Sequence, residues 1–231
     1  MKQLISLIET EKLKEILIIS HQNADPDALC GLYALKSILN RLIKDLEIII
    51  FADGLTSLSE QIVSELNIEI STDIQNFHPD LVILFDVNTL HHIGSFSNQI
   101  EVDLKSIVII DHHAAPPDID NFSSLSIIDD NALSATEIIF HEFNQLGIKF
   151  TPEEAFLILI GMLYDSRHFI LGNLRSFSIV PKLIESGADY SQAISILRIP
   201  MSRPEKIARI KAAQRLKISE IKGWLIITSH V

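Results

Sequence analysis

The chain has 231 residues, of which 47% are apolar, and a formal charge of −11 from 19 Lys and Arg against 30 Asp and Glu. So acidic a balance argues against a protein that grips long nucleic acid through a broad basic face, because that grip comes from releasing counterions from many phosphates; a short phosphate ligand, or a polyanion met through bound divalent cations, stays open. One cysteine, Cys30, excludes an intramolecular disulfide and a cysteine-based zinc cluster, and the longest uncharged apolar stretch, Ala155 to Tyr164, is far short of the roughly 20 residues that span a bilayer.

The N-terminus, MKQLISLIETEKLKE, is charged and helix-periodic and lacks the apolar core and cleavage site of a secretory signal, so a cytoplasmic protein is expected. The run ILIIS (16–20) reads as a first strand and leads directly into HQNADPDA (21–28), followed by a helical pattern from Leu29 to Leu42 with Cys30 as a small apolar filler. EIIIFAD (47–53), a helix from Leu58 to Leu66, LVILFD (81–86) and SIVIID (106–111) continue the alternation. Runs that are apolar at successive positions are strands covered on both faces, and helical segments between them make βαβ crossovers. The expected fold is α/β, a doubly wound and mainly parallel sheet flanked by helices.

From Ser134 onward the pattern is helical: Ala135 to Gln145, Pro152 to Tyr164, Phe177 to Glu185, and a basic helix from Arg203 to Lys217. GWLIITSHV then begins a new strand. This predicts one domain over 1–200 and, over 201–231, a linker helix and the start of a further domain, with the chain read as a fragment.

Three of the four strands end in ligand chemistry: His21, Asp86, and Asp111-His112-His113. In open α/β sheets the carboxyl ends of the strands face one crevice, so these groups are expected to converge there. Each has a plainer reading. Asp25 before Pro26 makes a helix N-cap, Asp27 suits the helix dipole, Asp86 can cap a turn with Asn88, and His112-His113 can be a turn. Asp165 differs, because it follows the apolar FLILIGMLY, where an uncompensated carboxylate is costly to bury and calls for a cation.

Together, HQNADPDA, LFDVN, IDHH and GMLYDSRHF, in that order between Ser20 and Phe169, resemble the DHH phosphoesterases, a family named for its Asp-His-His triplet. The wording is most similar to the nanoRNase and RecJ-like branch and to its catalytic N-terminal domain. The resemblance implies two divalent ions, usually Mn²⁺, with His21 and Asp25 on one, Asp27, His112 and Asp165 on the other, and Asp86 bridging. Mg²⁺, Co²⁺ and Zn²⁺ suit the same donors. It also implies that His113 faces the phosphate as a catalytic group. Asp111, just before the ligand histidine, is read as a supporting group or backbone-turn acceptor that fixes the tautomer of His112, and Arg167 either reaches a substrate oxygen or pairs with the acidic surface.

The implied reaction is hydrolysis of phosphodiester or phosphomonoester bonds in a small nucleotide or a short single-stranded oligonucleotide by metal-activated water. Long duplexes and membranes are not expected partners, and a homodimer stays open. A regulatory metal- or nucleotide-binding module is the non-enzymatic alternative. A family II-type pyrophosphatase is disfavoured because no basic SRKKQ-type segment occurs. The pattern gives His91-His92 a surface or helix-start role and places His168 at a rim.

Overall fold

Four apolar runs become strands, three of them buried on both faces and the edge strand Glu47–Phe51 partly so, in the computed structural model, which describes residues 1–71, 74, 77–98, 107–117, 123–198 and 203–229. They are β1 (Glu15–Ile19), β2 (Glu47–Phe51), β3 (Leu81–Phe85) and β4 (Ile107–Asp111); Ser106, the expected first residue of the fourth, lies outside the described residues. A fifth strand, β5 (Leu125–Ile128), completes a parallel sheet in the order β2-β1-β3-β4-β5. Sequence reading missed β5 because its four residues are only partly buried and form no continuous apolar run.

This order puts a switch point between β1 and β3. The chain leaves β1 toward one edge and β3 toward the other, and right-handed crossovers in opposite directions use opposite faces. Accordingly α2 (Pro26–Leu42) covers one face and a 3₁₀ stretch, Leu90–Asn98, the other. Alternate strand residues serve the two faces. Ile16, Ile18, Ile83, Phe85, Val108 and Ile110 join the core under α2, whereas Leu17, Ile19, Val82, Leu84, Ile107 and Ile109 pack with Val87 and Ile93.

The remaining helices of this unit are α1 (Lys2–Glu11), α3 (Ser57–Leu66), α4 (Ala135–Gln145), α5 (Pro152–Asp165), α6 (Leu174–Glu185) and α7 (Tyr190–Ile196). α2 starts at Pro26 rather than Leu29, because Asp25 caps it and proline suits the first turn. α6 starts at Leu174 rather than Phe177, because Asn173 and Ser176 form a reciprocal cap. No helix among the described residues is long and apolar enough to cross a membrane.

The chain divides into two compact units, Met1–Leu197 and Arg198–Val231; the boundary expected at 200–201 lies outside the described residues. In the second unit the basic helix α8 (Arg203–Gln214) ends before Lys217. Lys217–Ile221 is instead a strand, β6, paired antiparallel with β7 (Trp224–Thr228). Lys222 and Gly223, with φ 51° and 80°, make the tight connection that suits the twist of a hairpin. KISEI alone fits either element, and pairing with the apolar partner decides it.

Candidate metal centre

Asp86 leaves β3 at φ 56°, with its backbone N–H on the Ile110 carbonyl at 2.9 Å, so the ladder runs one residue further while the side chain turns into the crevice at the switch point. Its two carboxylate oxygens face different groups. Oδ2 lies 3.6 Å from His21 Nε2, and Oδ1 lies 3.4 Å from His112 Nε2. His112 Nε2 is in turn 3.3 Å from Asp165 Oδ2 at the end of α5. Donor atoms of His21, Asp25 and Asp86 lie within 4.8 Å of one another, as do those of Asp27, His112 and Asp165.

The plain and functional readings of the first motif hold together. Asp25 Oδ1 accepts the Asp27 and Ala28 N–H groups at 3.0 and 3.1 Å as an N-cap, which leaves Oδ2 for the crevice. Asp27 is fully buried and is held by the start of α4: its Oδ2 accepts the Ala135 N–H at 2.6 Å, and its Oδ1 accepts the Thr136 N–H at 3.2 Å and hydroxyl at 2.5 Å. A Cβ at position 161 would sit 2.5 Å from Asp27 Oδ1, so glycine is what lets α5 pass this carboxylate. Thr136 and Gly161 are the supporting residues that sequence reasoning missed. The helical pattern from Ala135 marked where α4 begins but not what its first turn holds.

Asp111 corrects an expectation. It does not orient His112; its Oδ1 pairs with His113 Nδ1 at 2.8 Å and accepts the His113 N–H at 3.1 Å. Side chains two residues apart at a strand end share a side, which puts Asp111 with His113 and leaves His112 opposite. His112 Nδ1 instead faces the Ala132 carbonyl at 3.4 Å, which leaves Nε2 for the cluster. Arg167 and His168 follow α5 in a left-handed turn with φ 52° and 58°; both are exposed and neither lines the crevice. His91 and His92, given a surface or helix-start role from sequence, are exposed at the start of the 3₁₀ stretch and also line it.

The crevice has a volume of about 560 Å³ and is walled by His21, Asp25, Asp86, His113 and Asp165 among others. Asp86 Oδ1 is buried and accepts no hydrogen bond among the described residues. An orphaned carboxylate oxygen among three further carboxylates and two imidazole nitrogens, with no thiolate, fits a divalent ion of the Mn²⁺ or Mg²⁺ kind.

Electrostatics point the same way. Burial, then repulsion from Asp27, Asp25 and Asp86, pushes Asp165 up to about 9, and burial with repulsion from Asp86 pushes Asp27 up to about 7. Burial and Asp86 also raise Asp25. Burial is the largest influence on His112 and His21 and opposes their charge, but the adjacent Asp86 carboxylate, joined by Asp27 and Asp165 at His112 and by Asp25 and the Gln22 carbonyl at His21, outweighs it and raises them to about 10 and 9. Asp86 itself is driven up by burial and down by these two imidazoles, and ends below the usual carboxylate range. Protons thus hold the ion-free cluster together.

The sequence model of the DHH family, N-terminal domain, matches residues 15–162. The chain belongs to the DHH family. The match ends three residues before Asp165, whose place beside Asp27 and His112 is given by the geometry alone. The DHH chain is 29% identical over 98% of its length to an uncharacterized protein of Methanocaldococcus jannaschii, and 28% identical over 85% to a probable bifunctional oligoribonuclease and PAP phosphatase of Streptococcus mutans. It spans 68% and 60% of those two proteins. An exopolyphosphatase-related protein from Bacteroides fragilis shares the fold with a TM-score of 0.76 at 21% identity, over 95% of this chain and 67% of that one.

A pH dependence follows for the DHH centre. Asp27, Asp165, His21 and His112 all bind protons more tightly in the fold than in the unfolded chain, where the carboxyls titrate near 3.8 and the imidazoles near 6.5. Stability contributed by protonation is therefore present at low pH and lost as pH rises through the folded values, from about pH 7 for Asp27 to about pH 10 for His112. Divalent ions held by these donors would take the place of those protons. In chelator the melting temperature is expected to fall across this window, and excess Mn²⁺ to remove most of the fall. A melting temperature that rises with pH in chelator contradicts the crowding of carboxylates.

Proposed function

We propose that this chain is the catalytic part of a phosphoesterase that hydrolyses P–O bonds in short oligonucleotides or small nucleotides with two divalent ions, Mn²⁺ in the first place. The observation that carries this reading is the placement of the two Asp86 oxygens, one toward His21, whose donors cluster with Asp25, the other toward His112, whose donors cluster with Asp27 and Asp165. A carboxylate placed so is suited to bridge. Two ions held there would supply an acidified water and positive charge for the oxygens of an in-line displacement.

The chain's own residues supply the rest. The N–H groups of Ala135 and Thr136 and the Thr136 hydroxyl fix Asp27, and the Ala132 carbonyl fixes the tautomer of His112, so both ligands are set before substrate arrives. The hydrogen bond to Asp111 raises His113 above the ordinary imidazole value and engages its Nδ1, so Nε2 is the donor left for the crevice. In this reading His113 donates to a non-bridging phosphoryl oxygen as charge develops, with Asp111 as its anchor. Water adds to phosphorus, the ester P–O bond breaks, and the leaving oxygen takes up a proton. Arg167, exposed beyond α5, is assigned no contact. Residues 201–231 are proposed as the link into a substrate-binding domain, in keeping with the greater length of the relatives and with Trp224, Leu225 and Ile227 standing exposed on the hairpin.

The test is turnover by the purified chain with Mn²⁺ on an RNA dinucleotide, on 3′-phosphoadenosine 5′-phosphate and on pyrophosphate. Hydrolysis of either nucleotide substrate with pyrophosphate left intact is the expected result. Two bound ions with no turnover of any of the three would move the assignment to a regulatory binding module.

A further inference from the structure

Two imidazoles on the crevice wall have no part in the proposed metal set. His91 and His92 are exposed and line the same cavity as Asp86 and His113. Three anchors fix the segment that carries them. Ile93 is fully buried in the core on that face of the sheet. The His92 carbonyl accepts the N–H of Gln22 at 2.7 Å, one residue after His21. Gly94, at φ 70°, packs so closely on the end of β2 that a Cβ would lie 2.1 Å from Asp53 Oδ2. The turn is therefore a built part of the wall, tied to the ends of β1 and β2.

Among the described residues no lysine or arginine lines this cavity. Asn88 also lines it, with one of its two side-chain N–H groups given to the Ala114 carbonyl at 3.0 Å, as does the neutral amide of Gln22. His113 belongs to the proposed reacting phosphate. Among the described residues His91 and His92 are the imidazole donors on this wall left outside the proposed metal and phosphate sets, and they are placed to meet a further anionic group of a substrate. We propose that His91 and His92 form a subsite for a second phosphate of the substrate, next to the one that reacts. That phosphate is either a terminal phosphomonoester or the next internucleotide linkage. The subsite rests on the phosphoesterase reading for the position of the reacting phosphate, but it can be tested by binding alone.

The experiment measures equilibrium binding of three oligoadenylates to the full chain in Ca²⁺: the dinucleotide ApA, its 5′-phosphorylated form pApA, and the trinucleotide ApApA. The same ligands are then bound to the H91Q/H92Q double variant, with Mn²⁺ titration and a thermal melt as controls. A charge-assisted hydrogen bond is worth about tenfold or more in affinity. The double variant is expected to lose about that factor for a ligand with a second phosphate and nothing for ApA, with ion binding and melting unchanged. A loss confined to pApA identifies a terminal phosphate, a loss confined to ApApA an internucleotide phosphate, and a loss on both a subsite open to either. Equal losses on all three ligands, no loss on any, or a parent chain that binds pApA and ApApA no better than ApA overturns the subsite. Turnover in Mn²⁺ is scored separately, so a chain that binds through the histidines but hydrolyses nothing refutes the phosphoesterase reading and leaves the subsite standing.

Discussion

Replacing Asp86 is expected to cost more activity than any other single change, on the order of 10³-fold or more, because it removes the group shared by both halves of the centre. Asp86→Asn is the sharper variant. Asp86 sits at φ 56°, a left-handed conformation that asparagine tolerates and alanine does not favour, so Asn keeps the backbone and removes only the charge. His21 and His112 would then lose the carboxylate that raises them, and the remaining carboxylates would lose a shared counter-ion. Elemental analysis with Mn²⁺ titration should find two ions in the parent and one or none in Asp86→Asn, together with the lost turnover. Two ions retained at parental affinity would refute the bridging role, and with it the mechanism.

The largest effect on stability is expected one residue earlier. Phe85 is fully buried, and its ring lies so close to α2 that a Cβ on Gly31 would sit 2.1 Å from Phe85 Cε1. Phe85→Ala leaves a cavity under the helix and should cost about 3–5 kcal/mol. For a chain of this size that lowers the melting temperature by roughly 10 °C. Gly31→Ala overpacks the same contact and should cost about 1–3 kcal/mol. Phe85→Leu with Gly31→Ala should cost less than the sum of the two single changes, because the smaller side chain makes room for the added methyl. Strict additivity in denaturant melts would show that ring and helix do not bear on each other. The contact also reaches the centre: α2 begins with Asp25 and Asp27, and Phe85 precedes Asp86, so weaker Mn²⁺ binding should accompany the loss of stability.

Much of this was legible in the chain. A strand covered on both faces must be apolar at successive positions, so β1, β3 and β4 stood out, and the groups just past their ends were already the ones the crevice collects. β5 was not legible, because an edge strand with one neighbour can be half polar. β6 was not, because KISEI becomes a strand only through its pairing with Trp224–Thr228.

The sequence by itself determined the family, the parallel α/β class and the donor types available at the strand ends. Those follow from local composition and from the order of short motifs. Tertiary structure alone decided which atoms meet: that one Asp86 oxygen faces His21 and the other His112, that the Ala132 carbonyl serves His112, that Thr136 holds Asp27 across 109 residues of chain, and that His91 and His92 look into the crevice. These relations join elements far apart in sequence. Their distances are set by how helices seat on the sheet, and no local pattern encodes that.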